Sequence, residues 1–288
     1  MIDLTPVIIA EACCNHMGKM KIAKKMILEA KRNGADYIKF QKRNIDEWVI
    51  RKPNVYKNPH QCKKNSFGKT YEEHRRKLEF SLEQHKLLKN YCDKIGINYC
   101  CSVFDIKSAM EIVSLSPKMI KVPSACNTNF ELLSYLCNNF SGEIHVSFGM
   151  TSKDNIEKIV SFFVENNRNK DLIIYACTSA YPLKLNDVCL NEISYLKNKY
   201  SDIVKGIGYS GHHIGIVIDI SAYTLGAKYI ERHFTLDKNM KGTDQKASIV
   251  PKELFKLKQN LTDISQCLQA KSSDILQSEL QNEVKLKW

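Results

Sequence analysis

The chain has 288 residues, 43 % of them hydrophobic and 26 % charged, with a formal net charge of +12. That length suits one α/β barrel, which runs to about 250 residues as a single domain, and the composition supplies a sizeable core. No apolar run approaches the roughly 20 residues that span a bilayer, and the N-terminus lacks a basic stretch followed by an apolar one, so membrane and secretory readings are set aside. The eleven cysteines form an odd set with two adjacent pairs, Cys13-Cys14 and Cys100-Cys101, and several sit in apolar runs. They read as reduced thiols of a cytoplasmic protein, with no CxxC pair for a thiolate zinc site. The lysines are spread along amphipathic stretches and mixed with glutamates, which reads as a solvated surface rather than a nucleic-acid footprint.

In chain order, eight short apolar runs alternate with longer amphipathic ones: 7–14, 37–41, 98–104, 119–124, 143–149, 172–178, 205–211 and 229–234. Seven helix-like segments separate them, and residues 251–270 supply an eighth. Ala23, Met26, Ile27 and Ala30 show the helical spacing. The runs are near-continuously apolar, as parallel strands covered on both faces are. Eight βα repeats without a break in composition predict one closed (β/α)8 barrel over residues 1–288. The runner-up, a doubly wound open sheet, needs a Gly-rich turn after the first strand, and Ala12-Cys13-Cys14-Asn15-His16-Met17-Gly18 does not provide it. Residues 44–80 stand out as a long interval with no regular pattern, predicted to be an elaborated loop over the catalytic face. Residues 271–288 are a polar tail.

A barrel carries its chemistry at the C-terminal ends of the strands. Here run one ends at Glu11 and Asn15-His16, and run two carries Lys39 and Gln41. Run four holds Lys121 and Ser124, run five Ser147, and run six is followed by Ser179 and Tyr181. Run seven ends Ser210-Gly211-His212-His213, and run eight reads Glu231-Arg232-His233. Charged groups inside apolar strands are costly unless paired or ligated, so this set predicts a site. Two lysines with serine hydroxyls suit a phosphate or carboxylate. Two imidazoles from neighbouring strands beside a carboxylate suit a divalent metal acting as a Lewis acid, with His213 competing with His212 for that place.

These residues resemble the sialic acid synthase family over nearly the whole chain. The resemblance rests on Ile8-Ile9-Ala10-Glu11 with Asn15-His16, on Gly34-Ala35-Asp36 leading to Lys39-Phe40-Gln41, and on Lys121-Val122-Pro123-Ser124. It continues through Ser147-Phe148-Gly149-Met150, Cys177-Thr178-Ser179-Ala180-Tyr181-Pro182, Gly208-Tyr209-Ser210-Gly211-His212, Glu231-Arg232-His233-Phe234-Thr235-Leu236-Asp237 and Lys241-Gly242-Thr243-Asp244 with Ser248. The resemblance implies condensation of phosphoenolpyruvate with an N-acetylmannosamine-type aldehyde. Phosphoenolpyruvate would be held by Lys39, Lys121, Ser124, Ser147, Ser179, Tyr181 and Ser210. Mn2+, or Mg2+ or Co2+, would sit on His212 and His233, with Glu11 and Asp244 near the reacting carbons and Asn15, Gln41 and residue 126 on the sugar side. Residues 68–80 look most like the branch that uses a 6-phosphorylated sugar.

Three departures from the family pattern bear on the sugar. The antifreeze-like C-terminal domain usual in relatives is not in this chain. Cys126 replaces an acidic residue, and Gln245 stands where histidine is common. A synthase for legionaminic, pseudaminic or another sugar acid is therefore the alternative, followed by a catalytically silent barrel scaffold. Relatives form dimers, so a homodimer is a further expectation.

Overall fold

The computed structural model describes residues 5–180 and 183–288. Eight parallel strands close into a barrel in chain order. They are β1 Val7–Glu11, β2 Tyr37–Lys42, β3 Asn98–Val103, β4 Met119–Val122, β5 Glu143–Ser147, β6 Leu172–Cys177, β7 Gly206–Gly211 and β8 Tyr229–His233. Each lies within a couple of residues of an apolar run read from the sequence. The seam closes where β1 pairs with β8, with Glu11 opposite His233.

Between them run α1 Met20–Arg32, α2 Ile45–Arg51, α3 Pro53–Tyr56, α4 Tyr71–Leu78, α5 Leu82–Ile95, α6 Ile106–Val113, α7 Phe130–Asn139, α8 Lys153–Glu165, α9 Asn191–Tyr200, α10 Val217–Thr224, α11 Pro251–Cys267 and α12 Leu280–Leu286. Local chemistry starts and stops them. Ser81 and Gln84 form a capping box on α5, which ends at left-handed Gly96. Asp105 caps α6, and its other carboxylate oxygen accepts from the Asn44 backbone at 2.8 Å.

The strands divide two cores by alternation. Ile8, Ala10, Ile38, Phe40, Val122 and Val146 face outward into the helix layer, which buries Ala23, Met26, Ile27 and Ala30 of α1. Ile9, Cys100, Met119, Ile173, Tyr175 and Tyr229 fill the lower barrel interior. Gly208 makes that filling fit, because a Cβ there would lie 2.4 Å from the Tyr175 ring. The next inward residues toward the C-terminal ends are Glu11, Lys39, Lys121 and Glu231.

The interval 44–80 corrects one expectation. It is not irregular but holds α2, α3, a 3-10 turn at Lys63–Asn65 and α4. Pro53 and Thr70 start helices rather than turns: Pro53 occupies the first turn of α3, and the Thr70 hydroxyl accepts from the Glu73 backbone at 3.2 Å. Arg76–Glu72 and Arg75–Glu79 pairs one turn apart support α4. The interval does lie over the barrel mouth. Gly18 allows α4 to close against the β1–α1 loop, since a Cβ there would stand 2.0 Å from the Lys77 carbonyl oxygen. The tail after α11 is exposed apart from a few half-buried residues and carries only the short α12.

Candidate active site

A cavity of about 360 Å³ opens at the C-terminal ends of the strands. Its floor is a buried charge chain. Lys39 Nζ lies 2.6 Å from Glu11 Oε2 and 3.5 Å from Glu231 Oε1, and Lys121 Nζ lies 2.6 Å from Glu231 Oε2. Lys39 also donates to Ser102 Oγ at 2.6 Å, Ser210 donates to Glu231 at 3.1 Å, and Gln41 donates to Glu11 at 2.8 Å. Burial opposes every one of these charges, and pairing decides which survive. Burial would lower Lys39, but Glu11 and Glu231 outweigh it and hold the ammonium above its ordinary range. Burial would raise Glu231, but Lys121 and Lys39 hold its carboxyl far below the usual range. Lys121, sharing Glu231 with a second cation, is lowered by burial despite that pairing, and stands 3.7 Å from the Tyr175 ring centroid.

One wall is a group of hydroxyls. Ser124 accepts from the Gly149 backbone at 2.9 Å, and Ser147 and Ser179 line the same side. Gly149 is required for that approach: a Cβ there would lie 2.2 Å from Ser179 Oγ and 2.8 Å from Ser124 Oγ. The roof comes from the interval over the mouth. His60, Tyr71, His74 and Arg75 line it, and Arg43 lies 3.2 Å and Arg75 2.8 Å from Glu79.

The opposite wall holds His212 and His233, ring centroids 5.3 Å apart. His212 Nδ1 lies 2.9 Å from the Thr178 carbonyl oxygen, which fixes the ring. Asp244 reaches in from the loop after β8, 3.9 Å from His233 Nδ1, and accepts from Cys13 at 2.6 Å and Cys14 at 3.4 Å. Burial raises the Asp244 carboxyl, but His233 and the Cys13 thiol bring it below its ordinary range. Cys13, His233 and Asp244 bring one donor atom each within 4.8 Å of one another. Two donors on one cation, each at about 2.0–2.3 Å, stand no more than about 4.6 Å apart, and the separations of Asp244 from Cys13, 2.6 Å, and from His233, 3.9 Å, lie inside that limit, so this corner fits a divalent metal. The charge balance fits as well. Lys39, Arg43, Arg75 and Lys121 face Glu11, Glu231 and Asp244 around the cavity, and Glu79 lies directly behind the two arginines.

The structure thus gathers Glu11, Lys39, Gln41, Lys121, Ser124, Ser147, Ser179, Ser210, His212, His233 and Asp244 around one cavity. Tyr181 lies outside the described residues. Asn15 does not line the cavity: its amide donates to the Phe234 carbonyl at 2.8 Å and to Ser248 at 2.9 Å, tying two loops together. Cys126 lines an adjoining groove with Glu47, Trp48 and Arg51, its thiol donating to the Phe104 carbonyl at 3.2 Å. Gln245 is buried against Thr235 and the Asn15 backbone rather than at the cavity. Between the competing histidines the fold chooses. His213 turns outward into a buried network with Arg232 and Asp219, 2.8 Å from Arg232 Nη1 and 3.3 Å from Asp219. Sequence reasoning passed over Cys13, Arg43, His74, Arg75 and Ser102. Cys13 had a signal, an unusual Cys-Cys pair just past a strand end, and Ser102 had one as a hydroxyl inside the third apolar run; Arg43, His74 and Arg75 depend on how the roof folds over.

The NeuB family profile matches residues 26–273. The chain is 38 % identical over 273 residues to human N-acetylneuraminate-9-phosphate synthase, covering 95 % of this chain and 74 % of that one. It is 35 % identical over 262 residues to N,N'-diacetyllegionaminic acid synthase of Campylobacter jejuni, covering 91 % and 77 %. Among solved structures, the sialic acid synthetase of Leptospira borgpetersenii serovar Hardjo-bovis in complex with citrate superposes with a TM-score of 0.83 at 31 % identity, over 98 % of this chain and 90 % of that one. The strand-end motifs, the barrel and these relatives agree: the chain belongs to the NeuB family, the sialic acid synthases.

Proposed function

We propose that the protein condenses phosphoenolpyruvate with an N-acetylmannosamine-type sugar aldehyde, free or 6-phosphorylated, to give a nonulosonic acid and inorganic phosphate. One observation carries this reading: the buried Glu11–Lys39–Glu231–Lys121 chain beneath a wall of serines, at the mouth of a barrel. Phosphoenolpyruvate brings about 2.5–3 negative charges to a cavity whose own charges nearly cancel. His212, His233, Asp244 and Cys13 are the groups that would hold a divalent cation to complete the balance. Bound there, the cation supplies Lewis-acid polarisation of the aldehyde oxygen.

The chain's own residues do the rest. Lys39 and Lys121 orient the carboxylate and phosphate, and Ser124, Ser147, Ser179 and Ser210 accept and donate around them. C3 of phosphoenolpyruvate then attacks the aldehyde carbon, forming the carbon–carbon bond. The aldehyde π pair moves to its oxygen, water adds at C2, Glu11 passes one water proton on to that oxygen, and the C2–O bond to phosphate breaks as the remaining C2 hydroxyl proton goes to the leaving phosphate. Arg43, His60, His74 and Arg75 on the roof are placed to meet the far end of the sugar, including a 6-phosphate. The free thiols support a reducing, cytoplasmic setting.

The test is phosphate release from phosphoenolpyruvate with a panel of aldoses. N-acetylmannosamine or its 6-phosphate is expected to be the best acceptor, and His233→Ala to abolish turnover. Full activity of that variant would remove the metal from the reading. A 2,4-diacetamido sugar as best acceptor would instead support legionaminic-type chemistry, which the 35 % identity to such a synthase and Cys126 both favour as the second reading. No release with any aldose would leave a silent barrel.

A further inference from the structure

The metal corner contains a sulfur. Cys13 sits at the first turn after β1 with its Sγ 2.6 Å from Asp244 Oδ2 and 3.1 Å from the Gln41 amide. Its backbone is left-handed, φ 45, a conformation that a non-glycine residue rarely holds. Strain of this kind persists where the surrounding structure over-determines it, and it collects at functional sites. Here it turns the thiol inward, beside the donor atoms of His233 and Asp244. Cys14, the next residue, lies farther from Asp244, at 3.4 Å, and outside that donor group.

We propose that Cys13 is a thiolate ligand of the catalytic cation, and that the site therefore takes a thiophilic metal, Zn2+ or Co2+, in preference to Mn2+. This rests on the reading of a cation at His233 given above. Oxygen and imidazole donors alone suit Mn2+, whereas one thiolate among imidazole and carboxylate shifts the preference toward Zn2+ and Co2+, which accept four-coordinate sets with sulfur. His233, Asp244 and Cys13 come from three different segments around the barrel mouth, and the His212 ring stands 5.3 Å from that of His233, centroid to centroid. Binding releases the thiol proton to solvent, and a sulfur lone pair forms the metal bond. Gln41, donating to both Cys13 and Glu11, ties this sulfur to the charge chain that meets the other substrate.

The experiment is Co2+ loading of the metal-stripped full-length protein, followed by absorption spectroscopy. A thiolate-to-cobalt charge-transfer band in the near ultraviolet is expected, together with visible ligand-field bands. Cys13→Ser should abolish the near-ultraviolet band and keep the visible ones, while Cys14→Ser keeps both. In competition, Cys13→Ser should weaken Zn2+ binding at least tenfold and Mn2+ binding less than threefold. Visible bands without the charge-transfer band in the wild-type protein would overturn the sulfur ligand and leave the histidine site standing. So would a band that survives in Cys13→Ser. Failure of the wild-type protein to bind Co2+ at all would overturn the cation site and the sulfur ligand together.

Discussion

Glu231 is the point where the charge chain can be cut. Its two oxygens serve different lysines, at 3.5 Å for Lys39 and 2.6 Å for Lys121. In Glu231→Gln, Lys39 keeps Glu11 at 2.6 Å, but Lys121 keeps no carboxylate among its described ion pairs. Breaking a buried pair in this way costs about 3–5 kcal/mol, because a charge is left in the interior. At about 2–4 °C per kcal/mol for a chain of this order of size, melting should fall by roughly 10 °C. Lys121→Met removes the other partner, and the double variant removes both, so its cost should be well below the sum of the two. Urea unfolding of the four proteins gives the cycle, with a coupling of at least about 2 kcal/mol expected. Glu231→Gln should also gain stability more steeply than wild type from pH 7 to 9. Its Lys121 gives up the proton in the fold while the unfolded chain still binds it, and stability rises with pH wherever the unfolded state holds more protons. Costs that add within about 0.5 kcal/mol would refute a dry, coupled pair.

Burial lowers His16 and His85 to about 3 and His74 to about 4. Below pH 6.5 the unfolded chain protonates these rings and the fold does not, so stability is lost as pH falls from about 6.5 toward those values. Each ring contributes up to about 1.4 kcal/mol per pH unit, and His85→Gln should flatten the urea-midpoint profile by about one proton. Gly149→Ala should push Ser124 and Ser179 aside, because the new methyl would lie 2.2 Å from Ser179 Oγ and 2.8 Å from Ser124 Oγ, and raise the KM for phosphoenolpyruvate at least tenfold. An unchanged KM, measured by phosphate release, would place the phosphate elsewhere.

Continuous apolar runs located all eight strands, because a strand sheathed on both faces is apolar along its whole length. The lysines, serines and histidines at strand ends were legible for a related reason: a polar residue in such a run has no structural excuse unless it meets another. What spacing could not supply was the pairing. Whether Lys39 and Lys121 share one carboxylate depends on barrel register, which sets Ser210 beside Glu231 and Glu11 beside His233. The turn after β7 decided between His212 and His213, neighbours in sequence of which the first lines the cavity and the second meets Arg232 and Asp219. The interval 44–80 was read as irregular, since its helices are too short to show long apolar periods, and α4 alone of them carries a side-chain cap. The sequence by itself determined the barrel and placed lysines, serines and histidines at its strand ends. Only the tertiary structure brought Cys13, His233 and Asp244 together from segments up to 231 residues apart, because donor geometry is a property of closed space and not of order along the chain.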